Sequence, residues 1–259
     1  MKVIHDLNGI KKSVKNIEGH LSEKEIEFLY LAASYPSAEG EILEIGSFKG
    51  KSTVVLAQSA LNCGNKKIVC VDPFTSPSCT DPDLGAQSSS FQEFIDNLRQ
   101  AGVEENVEYH RDFSYNLVIN WDKTIRLLWI DGDHTYKGVK SDFDNFNRYL
   151  SEGALVMFHD VLHRFDGPIR VFIEDVIYSD HFGLAGCCGS IGWAQYSTDI
   201  EINAQYMSTK KKLYNKLSKI IPFCVFKEEL SGFGKYLYKY YRARIPHGTI
   251  HNPPWNIIT

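Results

Sequence analysis

Residues 41–53 read Glu41-Ile42-Leu43-Glu44-Ile45-Gly46-Ser47-Phe48-Lys49-Gly50-Lys51-Ser52-Thr53. A short apolar run stops at a glycine, and after a second glycine the chain enters Val54, Val55 and Leu56, which suit a packed helix. The run is too short for a helix of its own, so the stretch predicts a strand, a turn and a helix start. The pattern recurs. Strand Ile68 to Val71 ends at Asp72, and a loop rich in Pro, Ser and Asp (Pro73 to Gln87) leads to a helix from about Phe91 to Gln100. Strand Val107 to His110, a short helix around Leu117 and strand Ile125 to Ile130 follow, the last ending at Asp131. The spacing of Val139, Phe143, Phe146 and Leu150 predicts a helix over Tyr136 to Leu150, with Gly153 as its stop and Ala154 to Phe158 as the next strand. Strands alternating with helices predict an α/β protein with a doubly wound, mostly parallel sheet and helices on both faces. Runs of Ile, Leu and Val without polar alternation fit strands buried on both sides.

Around this centre the chain divides into three expected regions. Residues 1–36 form a helical segment, in which Ser22 and Glu25 make a capping box ahead of Ile26, Leu29 and Leu31. Residues 37–200 hold the sheet, closed by a helix from Pro168 to about Tyr178 and a hairpin of Phe182 to Ser190 with Ile191 to Tyr196. Residues 201–259 are a basic, tyrosine-rich helical extension, a candidate for peripheral membrane contact over 209–244. With 259 residues, 43% hydrophobic and 23% charged, the composition is that of a globular protein. A net charge of -4 gives no overall reason to expect nucleic acid. Met1 to Lys12 lacks an apolar signal core and no run approaches a membrane span, so a soluble, cytoplasmic protein is expected. The six cysteines show no metal-ligand spacing and are expected to be reduced. The chain does not disclose its oligomeric state; a homo-oligomer is one outcome.

Three readings of the glycine turn compete. A P-loop needs four residues between its first glycine and Gly-Lys-Ser/Thr, whereas Gly46 and Gly50 enclose three. A dinucleotide fingerprint needs a central glycine where Phe48 stands. The third reading takes Glu44, Gly46, Gly50 and Asp72 together. In these residues the sequence resembles the class I S-adenosylmethionine-dependent methyltransferases, whose first motif has the form E-x-G-x-x-x-G. The resemblance implies a seven-stranded sheet of Rossmann-like methyltransferase type. It also implies that Glu44, Gly46, Ser47, Gly50, Ser52 and Thr53 form the turn that holds S-adenosylmethionine, while Asp72 accepts from the ribose hydroxyls. Asp112 and Phe113, after the third strand, fall where the family places its adenine contacts.

Two further strand ends carry ionisable groups: Ile130-Asp131-Gly132-Asp133-His134-Thr135-Tyr136, and Phe158-His159-Asp160. This pair is similar to a methyltransferase subfamily that includes macrocin-type sugar O-methyltransferases and cephalosporin hydroxylase-like proteins, over roughly Ile42 to Asp160. The resemblance implies a hydroxyl acceptor of sugar or glycan type or another small molecule, with Asp131 touching both cofactor and acceptor and His134 as the catalytic base. It also implies magnesium on Asp131 and Asp160. His159 stands where those relatives have a second acid, and it completes a candidate metal set less suited to that ion. Two rival readings keep the fold: a metal-dependent hydroxylase-like enzyme, and a non-catalytic module docking on a membrane, a lipid-linked glycan or nucleic acid through its basic segment.

Overall fold

The computed structural model describes residues 6–64, 67–75, 89–225 and 232–258. Most of the expected Pro, Ser and Asp loop, and Cys79, lie outside the described residues.

Two helices come first, α1 (Leu7–Val14) and α2 (Glu23–Ser34). The capping box of α2 is formed as expected, Glu25 reaching back to the Ser22 amide at 2.7 Å. Strand β1 (Glu41–Ile45) enters α3 (Lys51–Asn62), β2 (Ile68–Val71) precedes α4 (Phe91–Gln100), and β3 (Val107–His110) precedes the single turn α5 (Ser114–Leu117). Then come β4 (Ile125–Ile130), α6 (Tyr136–Phe146), β5 (Leu150–Phe158) and α7 (Asp166–Val171), which runs on as a wider π turn over Phe172–Ile177. The hairpin β6 (Phe182–Cys188) and β7 (Ile191–Tyr196) closes the sheet. Four helices follow: α8 (Ile200–Gln205), α9 (Met207–Leu217), α10 (Ile221–Val225) and α11 (Gly232–Arg242).

The seven strands lie in the order β3-β2-β1-β4-β5-β7-β6, parallel except for the pairs that involve β7. Side chains alternate across the sheet and fill two cores. Ile42, Leu127, Trp129 and Met157 face α1 to α4, whereas Leu43, Leu128, Val156 and Phe158 face α6, α7 and α9. That two-sided burial is the expected doubly wound arrangement.

The helix after β4 is shorter than its apolar spacing predicts. It gives way to a single tight turn at Asn147–Tyr149, and Leu150 already pairs with Ile125 in the sheet. Gly153, expected to stop the helix, lies inside β5 at φ +84°, where its carbonyl accepts from Ser37 and Gln195. Sheet pairing outcompetes the helical continuation of Leu150. Among the described residues no helix is long and apolar enough to cross a membrane.

Candidate functional site

The parallel register aligns the strand ends that matter. Ile45 pairs with both Val71 and Ile130, and Ile130 pairs with Phe158. The residue after each is therefore delivered to one edge: Gly46, Asp72, Asp131 and His159. Backbone hydrogen bonds extend the ladder by one step there, from Gly46 to Val71, Asp131 to Ile45 and His159 to Ile130, at 2.8–3.0 Å. This carboxyl edge of a doubly wound sheet is where such folds place their ligands.

The turn after β1 is held from both sides. Gly46 has φ +87°, and a Cβ built on it would collide with the carbonyl of Asp131, so only glycine brings β1 and β4 this close. Below the turn, Glu44 is fully buried and accepts from Ser47 Oγ (3.0 Å) and Thr53 Oγ1 (2.5 Å). Burial raises its pKa to about 7 despite the hydroxyls of Ser52, Thr53 and Ser47, and its Oε1 has no hydrogen-bond partner. Above the turn, Asp72 Oδ2 accepts from the amides of Ser47 (2.7 Å) and Phe48 (2.9 Å), and its Oδ1 accepts from Phe74 (2.6 Å). Burial holds the Asp72 pKa above the ordinary carboxylate value against those three amides.

Beside the turn, acids and imidazoles converge. Nε2 of His134 lies 3.3 Å from Asp160 Oδ2 and 3.7 Å from Asp131 Oδ1, and its ring stacks on Phe165 at 4.3 Å. His159 Nδ1 faces Asp131 at 3.1 Å and Asp160 at 3.2 Å, while its buried Nε2 has no partner. Although burial opposes a charged ring, Asp131 and Asp160 push the His134 pKa up to about 10 and that of His159 to about 9. The imidazoles in turn hold both carboxyls below their usual range despite burial. Asp160 adopts φ +58°, a conformation Asp tolerates better than most residues, which turns its carboxylate toward all three rings of His134, His159 and His163. Donor atoms of Asp131, His134 and Asp160 lie within 4.8 Å of one another, a spacing that could hold a metal ion.

A cavity of about 630 Å³ opens over these residues. Gly46, Ser47, Ser52, Asp72, Phe113, Asp131, His134, His159 and Asp160 all line it. Glu44, Gly50 and Thr53 support it from beneath or behind: Gly50, at φ +85°, starts α3 against Phe94. Asp112 is not brought into this cavity. It is exposed, accepts from the Phe113 amide and from Asn116, and borders a separate, smaller cavity instead. For the metal set, the converging donors are Asp131, Asp160 and His134, with His159 directed at the two acids from behind.

The structure adds residues that the motifs did not single out. Ser114 donates to Asp142 on the cavity wall, where burial raises the Asp142 pKa to about 7 despite that bond. The signal was present, since Asp142 occupies the buried stripe of Val139, Phe143 and Phe146 on α6. Glu25 does more than close the capping box. Its Oε1 accepts from the Ser190 amide (2.5 Å) and hydroxyl (2.7 Å), and Ser190 Oγ lies 3.4 Å from Asp160. Glu18 to Leu21, between α1 and α2, also wall the cavity, and Glu18 is bonded to Lys49 of the glycine turn at 2.7 Å.

Residues 43–161 match a family model described as "Methyltransferase domain". The chain is 26% identical over 135 residues to "Uncharacterized protein R132" of Acanthamoeba polyphaga mimivirus, covering 50% of this chain and 55% of that protein. It thus spans about half the length of this curated relative. Among solved structures, the O-methyltransferase from Bacillus cereus in complex with SAH superposes with a TM-score of 0.53 at 18% identity, over 73% of this chain and 90% of that one. TomG of Streptomyces achromogenes, an O-methyltransferase involved in tomaymycin synthesis and solved with SAM, gives 0.53 at 18% identity over 74% and 89%. At these identities the likeness is one of fold alone, the α/β arrangement with a mostly parallel seven-stranded sheet.

Proposed function

We propose that this protein works as an S-adenosylmethionine-dependent O-methyltransferase on a hydroxyl of a sugar or glycan-type acceptor. The observation that carries this reading is the meeting, in one cavity, of the Asp72-braced glycine turn with Asp131, His134 and Asp160. When bound, S-adenosylmethionine supplies an electrophilic methyl group. Fit is supported by the cavity volume, by the close approach at Gly46 and by the unpartnered buried Oε1 of Glu44 beneath the turn. In this reading Gly46, Ser47, Ser52, Asp72 and Phe113 bind and orient the cofactor, with Glu44, Gly50 and Thr53 holding the turn in shape.

His134 is the proton acceptor for the acceptor hydroxyl, and Asp131 and Asp160 fix its ring and stabilise its charged form. With both carboxylates ionised and unshared, the ring already holds a proton at neutral pH, because its pKa lies near 10. Proton acceptance at Nε2 therefore requires that one of the two carboxylates be engaged elsewhere. Asp131 and Asp160 would hold a divalent cation, which would engage the carboxylates, leave Nε2 of His134 for the proton, and supply Lewis acidity toward an oxygen ligand. His159, buried behind Asp131, positions that acid. Alignment and proton removal are the main contributions left to the protein in such a displacement.

Calorimetric titration of the purified protein with S-adenosylhomocysteine tests the reading, followed by transfer of labelled methyl groups to a panel of sugars and glycosides. Folded protein that shows no binding of S-adenosylhomocysteine ends the proposal. Binding with transfer only to non-sugar hydroxyls corrects the acceptor class alone. The sugar-type acceptor draws its support from the resemblance of the two strand-end motifs.

A further inference from the structure

We infer that the outer face of α11 docks on an anionic membrane surface. Phe233, Tyr236 and Tyr240 recur at spacings of three and four, so they lie along one stripe of the helix, and they are 73%, 61% and 37% exposed. Their rings are ordered on one another: Phe233 and Tyr236 are stacked at 6.4 Å, and Tyr236 and Tyr240 at 6.2 Å. Lys235 and Lys239 are exposed on the same helix, Lys239 one turn after Tyr236 and Lys235 one turn before Lys239, and the Arg244 guanidinium sits 3.9 Å over the Tyr240 ring. The opposite face of α11 is committed inward. Tyr238 donates to the Leu162 carbonyl at 2.7 Å and Arg242 to the same oxygen at 2.9 Å, so the helix cannot roll its aromatic stripe under without breaking both bonds. Leu162 lies two residues beyond Asp160, so the anchoring point of the helix belongs to the loop that carries the acidic cluster.

Charge selects the occupant. Residues 209–244 contain ten Lys and Arg against two Glu, a net +8, in a chain whose total is -4. The remainder of the protein therefore carries -12 and is repelled by the surface that attracts this segment. Not every cation is available for it: Lys210 is buried and donates to the carbonyls of Ser179 and Phe182, both at 2.6 Å, so it serves the fold. Aromatic side chains that sit at the headgroup level, flanked by lysines that meet anionic headgroups, form the pattern of an interfacial helix.

Flotation of the full chain with phosphatidylcholine vesicles, with and without phosphatidylserine, tests this docking. The expected result is co-flotation with the anionic vesicles that is lost at high salt, and a drop of about tenfold or more for the variant Phe233→Ser/Tyr236→Ser/Tyr240→Ser with unaltered melting. Equal partitioning of the wild type between neutral and anionic vesicles overturns the proposal, as does equal flotation of the variant. Retention of the wild type on heparin or RNA without flotation also overturns it, assigning the charge to another polyanion. The wild-type comparison of the two vesicle types stands even if the variant fails to fold.

Discussion

His134 and Asp160 face each other at 3.3 Å across the mouth of the sheet, and the same carboxylate also meets His159 and His163 through its other oxygen. One acid thus faces three imidazoles, sharing His134 and His159 with Asp131, while burial lowers the pKa of His163 despite the acid's charge. Replacing Asp160 with Asn keeps the shape and removes the charge. We expect turnover to fall by about 10²–10⁴-fold, the range of a lost acid-base contribution, while affinity for S-adenosylhomocysteine changes by less than about threefold. Steady-state rates set beside calorimetry check this; undiminished turnover would remove Asp160 from the reaction.

Gly46→Ala should be among the most damaging single substitutions in the chain. The new methyl group would meet the Asp131 carbonyl, and alanine resists φ +87°. A loss of about 3 kcal/mol or more is expected, read as a lowered denaturation midpoint. A stability within error of the wild type would mean that β1 and β4 can separate at this point.

Asp72→Ala would strip the acceptor from three amides at once, those of Ser47, Phe48 and Phe74. Each buried amide left without a partner costs about 1–3 kcal/mol. We expect both a lower melting temperature and a fall of about 100-fold or more in S-adenosylhomocysteine affinity, with Asp72→Asn in between, because its remaining oxygen still accepts. Lost affinity without lost stability would instead show Asp72 acting on the ligand alone.

Asp142 gives a pH dependence whose sign is fixed. Its carboxyl has a pKa raised by burial from 3.8 to about 7, so the folded protein holds that proton more tightly than the unfolded chain does. The resulting stabilisation is complete below pH 3.8 and is lost as pH rises to about 7. Within that window the slope is about 1.4 kcal/mol per pH unit. Denaturant unfolding at intervals from about pH 5 to 8, in the wild type and in Asp142→Asn, should show the variant losing less stability as pH rises. Parallel profiles would mean that Asp142 titrates normally.

The sheet could be read from the sequence because its central strands are buried on both faces, which leaves unbroken runs such as Ile68–Val71 and Leu127–Ile130 and fixed ends at Asp72 and Asp131. Helix α1 gave little signal, since only Ile10 and Val14 of its eight residues are buried. The stop expected at Gly153 failed because Leu150 satisfies a helical spacing and a strand equally well, and pairing with Ile125 decides between them. The turn and the two acid-histidine ends were legible as motifs. Their mutual distances were not, because the register of β1, β4 and β5 sets them. Glu25 was readable only as a cap; its bond to Ser190 spans 165 residues and leaves no local trace.

The same glutamate has a consequence for how this protein is inherited and cut. The matched stretch 43–161 contains neither Glu25 nor its partner Ser190, nor the Glu18 to Leu21 wall, yet all of them border or brace the cavity. A recombination event or a protease that released only the matched stretch would deliver a half-shell, with the acids present and their backing gone. The smallest transferable unit of this site is therefore longer than the stretch by which its ancestry is recognised.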